Sequence, residues 1–142
     1  MAIWKSRASL EELNLLVADV MPGLLGMVFT ELGDGHLTAT MPVDRRTRQP
    51  QGILHGGASV VLAETLGSVA ANLVVDAASF YCVGQEINAN HLRPVAEGLV
   101  TGTARPVHIG RSSQVWEIHI SDPRGKLCCI SRITMAVVAY QR

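Results

Sequence analysis

The sequence has no excess of charge of either sign: Lys+Arg and Asp+Glu are both 12, for a formal net charge of zero. That argues against a nucleic-acid binder, which would usually carry a basic surplus. It also has no apolar run long enough to span a bilayer, although hydrophobic residues make up 48% of it. Met1 to Ser9 carries Lys5 and Arg7 but is followed by no apolar core of the signal-peptide kind. The expectation is a cytoplasmic chain with no membrane partner. Cysteine is scarce. Cys82, Cys128 and Cys129 are odd in number, and no C-x-x-C spacing occurs. Neither a zinc site nor a disulfide framework is suggested, so reduced, structural cysteines are expected. Internal repeats and low-complexity segments are absent too. What remains is one domain over residues 1–142, large enough to bury a substantial core. A near-neutral, rather apolar domain of this size has little spare polar surface, which favours a homo-oligomer.

The most informative stretch runs from Gln49 to Ser68. Pro50 and Gly52 mark a loop. A His55-Gly56-Gly57 corner follows. The spacing of Ala58, Val61, Leu62, Leu66, Val69 and Leu73 then predicts a helix from about Gly57 to Val75. One acid, Glu64, stands in the middle of that helix. A bare carboxylate is costly to bury, so Glu64 is expected to be solvated in a cleft, paired, or functional. Desolvation there would raise its pKa toward the range useful for base catalysis. Ser68, four residues on, shares its helix face. At the helix start the backbone N–H groups lack partners within the helix. Glycines leave them open, and the dipole adds positive potential. Such donors can stabilise an oxyanion. With Gln49 and His55 beside them, the stretch holds the parts needed to hydrolyse an acyl group with water.

The remainder predicts short elements. Ser9-Leu10-Glu11-Glu12 is a capping-box pattern. The helix it opens has an apolar stripe of Leu10, Leu13 and Leu16 and is ended by Pro22 and Gly23. Met27 to Glu31 and His36 to Val43 read as a hairpin around Gly33-Asp34-Gly35. Leu37, Ala39, Met41 and Val43 share the buried face of the second strand. Tyr81 to His91 is a strand with Val83, Gln85, Ile87 and Ala89 on one side and Cys82, Gly84, Glu86 and Asn88 on the other. Strands follow at Leu99 to Val107, Val115 to Ser121 and Leu127 to Ala139, with turns at His108 to Arg111 and Asp122 to Gly125. Only the segment holding Glu64 is long enough for a helical crossover. The fold class is therefore α+β, with a mostly antiparallel sheet curved round one long helix.

Three pieces carry a resemblance that covers nearly the full length. They are Gln49-Pro50-x-Gly52-x-Leu54-His55-Gly56-Gly57 with Glu64 nine residues after the histidine, Gly84-x-Glu86-Ile87-Asn88-Ala89-Asn90-His91, and His108-Ile109-Gly110-Arg111 followed by Val115-Trp116. In this order and at these intervals they resemble the hotdog-fold thioesterases. The nearest likeness is to the phenylacetate-type subgroup, which includes the 1,4-dihydroxy-2-naphthoyl-CoA hydrolases and the enterobactin proofreading thioesterases. The resemblance implies a hotdog fold, dimers that usually pair into tetramers (dimers of dimers), and active sites at the subunit interface. It implies an acyl-CoA substrate and no metal or separate cofactor, coenzyme A being part of the substrate and a product. It makes Glu64 the nucleophile or general base and gives the Gly56 N–H the thioester carbonyl. Gln49 and His55 orient thioester or water, and Ser68 supports the site. It places Gly84, the run His91, Leu92, Arg93 and Pro94, and the run His108, Ile109, Gly110, Arg111, Ser112 and Ser113 along the CoA portion. Gln51 and Gln85 depart from the subgroup, which commonly has Phe and an aliphatic residue there.

Each assignment has a plainer rival. Glu64 as a structural acid paired across a dimer is disfavoured by the placing of Gln49, His55 and Gly56. His55 as a helix cap or loop anchor fits as well as a catalytic role, and Ser68 fits packing as well as chemistry. Arg93 and Arg111 suit the phosphates of a CoA tail. Arg45 and Arg48 read as plain loop charges, His36 and His119 as polar-face residues without chemistry, and Trp116 as core. Asn88 and Asn90 read as partners for backbone or interface groups. Two rival functions use the same parts: a hotdog dehydratase acting on 3-hydroxyacyl thioesters, and a non-catalytic acyl-CoA-binding protein.

Overall fold

The computed structural model describes residues 1–141. Helices α1 (Leu10–Val17) and α2 (Met21–Leu24) lead into strands β1 (Val28–Leu32) and β2 (Leu37–Pro42). Then come the long helix α3 (Gly56–Leu73) and strands β3 (Phe80–His91), β4 (Leu99–Ile109), β5 (Ser113–Ser121) and β6 (Leu127–Ala139). The six strands form one sheet in the order β1-β2-β4-β5-β6-β3, antiparallel throughout. Helix α3 packs on β2, β3, β4, β5 and β6. The α+β architecture read from the pattern is the one observed.

The centre of α3 explains why it sits against the sheet. Leu62, Ala63, Leu66 and Ala70 are fully buried, one side of the helix at 3.6-residue spacing. Burying a leucine side chain completely is worth about 1.5–3 kcal/mol. Gly67 sets how close the helix comes. A Cβ there would stand 2.5 Å from Cγ2 of Ile133 on β6, so only a bare Cα fits. Under the far end of α3, the buried Gln114 accepts from Trp116 Nε1 at 2.8 Å and donates to the Ala71 carbonyl at 3.4 Å. Trp116 is core, as its phase on β5 implies, and stacks with Trp4 at 6.3 Å between centroids.

Local details differ from the sequence pattern in three places. Pro22 does not end the first helix. That helix stops at Val17, and Pro22 lies in the first turn of α2, where its missing N–H has no helical partner to lose. In α1 the buried stripe is Leu13 and Val17, with Leu16 out in solvent. Asn14 grips the edge strand instead, exchanging hydrogen bonds of 3.0 and 2.8 Å with the backbone of Phe29.

The third difference matters most. Strict alternation puts Val83 and Ile87 on one face of β3. The structure has a bulge between Gly84 and Glu86, so Gln85 is an extra residue without a partner on β6. The bulge reverses the phase. Cys82 and Gly84 face α3 before it, while Ile87 and Ala89 pack toward the core after it. Without that reversal, Glu86, Asn88 and Asn90 would point into the core, at the cost of burying polar groups.

Candidate active site

The loop before α3 is pinned at several points. Leu54 N–H donates to Val95 O at 2.7 Å and His55 N–H to Thr47 O at 2.8 Å. The Thr47 hydroxyl donates to Pro42 O at 2.7 Å. Arg48 is more than a loop charge: its guanidinium donates twice to Ala96 O, at 3.2 and 2.8 Å. Gly52 makes the turn at φ +81°, a conformation other residues rarely adopt. Its N–H bonds to Gln49 O, and the Gln49 side-chain oxygen accepts from Gln51 N–H at 3.2 Å.

His55 is the N-cap of α3, with Nδ1 accepting from Gly57 N–H at 2.8 Å. In the neutral ring this leaves the proton on Nε2. Ala58 and Ser59 N–H groups turn to His55 O. Among the described residues the Gly56 N–H has no partner. It opens on a cavity of about 350 Å³ lined by Gln49, Ile53, Leu54, Gly56, Ser59, His91 to Pro94 and Cys128. His91 reaches closest, since a Cβ on Gly56 would lie 2.8 Å from its Nε2. Arg93 is anchored by one bond from Nε to Leu127 O at 3.2 Å. So Gln49, His55, Gly56, His91, Leu92, Arg93 and Pro94 come together at one end of the molecule.

Glu64 lies elsewhere. It is eight residues into α3 from Gly56, roughly 12 Å along the axis at about 1.5 Å per residue. It is exposed on this chain, so the carboxylate is solvated, one of the outcomes expected of a lone acid in this helix. No hydrogen bond reaches its carboxylate among the described residues. Its neighbour is the β3 backbone: a Cβ on Gly84 would stand 2.9 Å from Glu64 Oε1. Ser68 follows one turn on, half-buried, with its carbonyl accepting from Asn72 Nδ2 at 2.9 Å.

The run His108 to Ser113 is farther still, at the β4–β5 turn, closed by a Gly110 N–H bond to Ser113 O at 2.9 Å. Along β6, His91 stands opposite Cys129 and Ser113 opposite Ala136. The seven steps between them span roughly 23 Å. Ile109 to Ser112 line a separate cavity of about 640 Å³ with Lys5, Asp76 and Phe80. Of the three groups assigned to the CoA portion, the two runs are thus at opposite ends of one chain, and Gly84 lies apart from both, against Glu64.

Residues 51–129 match the thioesterase superfamily. The chain belongs to that family. This thioesterase is 52% identical to the 1,4-dihydroxy-2-naphthoyl-CoA hydrolase of Escherichia coli K12, over 96% of its own length and 99% of the relative's. It is also 52% identical to the proofreading thioesterase EntH of Cronobacter sakazakii, over 96% and 98% of the two lengths. In three dimensions it matches a crystal structure of a mutant of thioesterase PA1618 from Pseudomonas aeruginosa with a TM-score of 0.96, covering 98% of this chain and 100% of that one at 52% identity. The sheet with its central helix is therefore the hotdog fold, and the protein is a hydrolase of thioesters.

Other residues singled out in the sequence are placed as follows. His36, half-buried just before β2, pairs with Glu31 at 3.1 Å, and His119 on β5 pairs with Glu117 at 2.8 Å. Asn88 donates to Glu86. All three cysteines are free and buried. Burial pushes the Cys129 thiol up to about 11 and raises Cys82 and Cys128 as well. Among the described residues no helix is long and apolar enough to cross a membrane, and no cluster of His, Cys, Asp and Glu is spaced to hold a metal. One residue the sequence pattern did not single out is Asn72. Its side chain bonds both the N–H and the C=O of Cys82 on β3. The signal available was a lone amide side chain in an otherwise apolar helix end.

Proposed function

We propose that this thioesterase hydrolyses aryl acyl-CoA thioesters at sites completed by two copies of the chain. The observation that carries it is the pairing of two half-sites on one chain. One is the unpartnered Gly56 N–H beside Gln49 and His91. The other is the unpartnered Glu64 carboxylate beside Gly84, roughly 12 Å deeper along α3. A thioester carbonyl held on Gly56 lies beyond the reach of Glu64 from the same chain. A second copy supplies the missing half. In the assembled site, the thioester oxygen accepts from Gly56 N–H at the positive end of α3. Glu64 of the other copy removes a proton from water as it adds to the carbonyl carbon, or adds first itself to give an anhydride that water then opens. The carbon–sulfur bond breaks and CoA leaves as the thiolate. Water is the only co-reactant consumed. Gln49 and His55 orient the thioester, and Ser68 lines the acid's side.

The CoA tail then runs from His91–Pro94 of one copy toward His108–Ser113 of the other, where Arg93 and Arg111 meet its phosphates. The aryl preference rests on the relative named for 1,4-dihydroxy-2-naphthoyl-CoA. The protein works in the cytoplasm as a dimer of dimers, and the pairing covers the edge strand β3.

The test is thiol release from benzoyl-, hydroxynaphthoyl-, phenylacetyl- and fatty acyl-CoA. Glu64→Ala should lose about 100- to 10,000-fold in kcat while staying folded. Gly56→Ala, whose methyl strikes His91, should also be nearly inactive. Mixed and allowed to exchange subunits, the two dead variants should recover about a quarter of wild-type activity, because half the pairs are mixed and each has one intact site. No recovery from a demonstrably mixed population would refute a site shared between copies.

A further inference from the structure

Strand β3 is the outer edge of the sheet on its side, with only β6 beside it. Backbone groups of an antiparallel strand point alternately toward and away from the neighbour. Ser79 O accepts from Tyr140 N–H, which places the odd-numbered residues toward β6 before the bulge. Leu92 N–H donates to Cys128 O, which places the even-numbered residues toward β6 after it. The outward-facing residues are therefore Phe80, Cys82 and Gly84, then Ile87, Ala89 and His91.

The first two are already closed from within the chain. Phe80 N–H bonds to Asp76 O at 2.9 Å. Cys82 N–H donates to Asn72 Oδ1 at 2.9 Å, and Asn72 Nδ2 donates to Cys82 O at 3.2 Å. The Asn72 amide occupies Cys82 as a neighbouring strand would. Among the described residues the edge from Gly84 to His91 is unpaired, a ready template for another strand.

We infer that Asn72 is the positioning residue that sets the register of a second copy on β3, with the two-fold axis at Asn88. This rests on the reading above that the site is shared between copies. A symmetric antiparallel pair must place the same strand on both sides. Hydrogen-bonded pairs need outward groups on both strands, so the register moves in steps of two residues. With the axis at Asn88, Ile87 faces the partner's Ala89 twice, and the Gly84–Gln85 bulge lies opposite the partner's His91. A step toward the N-terminus pushes the incoming strand onto Cys82, which Asn72 has closed. A step the other way leaves Gly84 uncovered and pairs less of the edge. The chosen register has a chemical consequence. Gly84 carries the Glu64 carboxylate against it, and His91 stands over Gly56. Opposing Gly84 to the partner's His91 therefore brings Glu64 of one copy to the oxyanion donor of the other.

The experiment places a cysteine on the axis. Across it, Asn88 meets the partner's Asn88 as a non-hydrogen-bonded pair, about 4.5 Å between Cα atoms, within disulfide range. The three native cysteines are buried. The intact chain carrying Asn88→Cys should form a covalent dimer under mild oxidation, while the Glu86→Cys and Asn90→Cys chains should not. In the Asn72→Leu background the Asn88 crosslink should fall at least about 10-fold. A two-residue slip shifts the halves by roughly 7 Å, so kcat should fall at least about 100-fold, with Asn72→Asp, which keeps the acceptor for Cys82 N–H, in between. An uncrosslinked Asn88→Cys chain whose subunit-mixing experiment still restores activity overturns the register but not the shared site. An Asn72→Leu chain that crosslinks and turns over like wild type overturns the role of Asn72. Should Asn72→Leu not fold, the crosslinks in the otherwise unaltered chain decide the register.

Discussion

Replacing Gly84 with alanine separates site geometry from stability. The new methyl would lie 2.9 Å from Glu64 Oε1, where ordinary contact begins at 3.4 Å, and 3.7 Å from Ile133 Cδ1. The backbone can accept it, since Gly84 is not among the glycines at positive φ. Alanine also lowers the conformational entropy of the unfolded chain, worth about 0.4–1 kcal/mol in favour of folding. The carboxylate must give way, by roughly 0.5 Å or by changing rotamer. Misplacement by about 1 Å can cost on the order of 100-fold in rate, so kcat should drop about 10- to 100-fold, or ~1.4–2.7 kcal/mol of transition-state stabilisation. KM should change less, because in the proposed mechanism Glu64 serves the chemical step, by activating water or adding itself, rather than substrate binding. Thiol release gives kcat and KM, and urea or thermal unfolding gives stability. A folded Gly84→Ala enzyme with wild-type kcat would refute the placing of Glu64 against β3 in the working site. A variant whose loss of activity merely tracks a loss of stability would refute it equally.

Other substitutions probe other parts of the molecule. Gly67→Ala should do the reverse of Gly84→Ala: its methyl would meet Ile133 at 2.5 Å in the buried helix–sheet contact, costing about 1–3 kcal/mol by overpacking. That is a melting point lower by about 4 °C per kcal/mol, and an unchanged midpoint would contradict the packing described. A thiol reagent at pH 8 should leave Cys82, Cys128 and Cys129 unlabelled until the protein unfolds, since burial raises all three and holds Cys129 near 11; rapid labelling of the native protein would count against this. Asp44 is held down to about 2 from 3.8, chiefly by its hydrogen bonds from Arg46. A depressed folded-state pKa gives stability that is present above about pH 4 and lost as pH falls toward about 2. Asp44→Asn should flatten that part of the acid limb, and identical acid unfolding curves would rule the pair out as a contributor. His55→Ala removes the cap of α3 and should cost about 1 kcal/mol of stability, readable in denaturant titration, where no change would dismiss the cap.

Much of this was legible in the sequence because it is written in short-range chemistry. The 3.6-residue spacing from Ala58 to Leu73 marks α3, and the two-residue alternation from Leu37 to Val43 marks β2. Ser9 with Glu12 fixes the start of α1, and the observed capping box agrees. The His55-Gly56-Gly57 corner follows from bare glycines at a helix start, and His55 proved to be the cap. Other features depend on what lies across the fold. Nothing in the alternation of β3 announces the bulge at Gln85, because it answers to the apolar surface that Ile87 and Ala89 must reach. Arg48 looks like a loop charge until Ala96 O, forty-eight residues away, is brought beside it. The grip of Asn72 on Cys82 is invisible without the path of β3 round α3.

The sequence by itself determined the elements and gathered the parts for acyl hydrolysis, which follow from side-chain type and local spacing that a chain carries wherever it goes; the thioester came from the family its motifs resemble. Only the tertiary structure decided that these residues stand apart, with Gly56 and His91 at one end of α3 and Glu64 beside Gly84 farther along. A helix rises a fixed distance per residue, and a strand edge is either closed or open. Those two facts of geometry, unlike composition, keep Gly56 and Glu64 of one copy apart and leave the edge of β3 open.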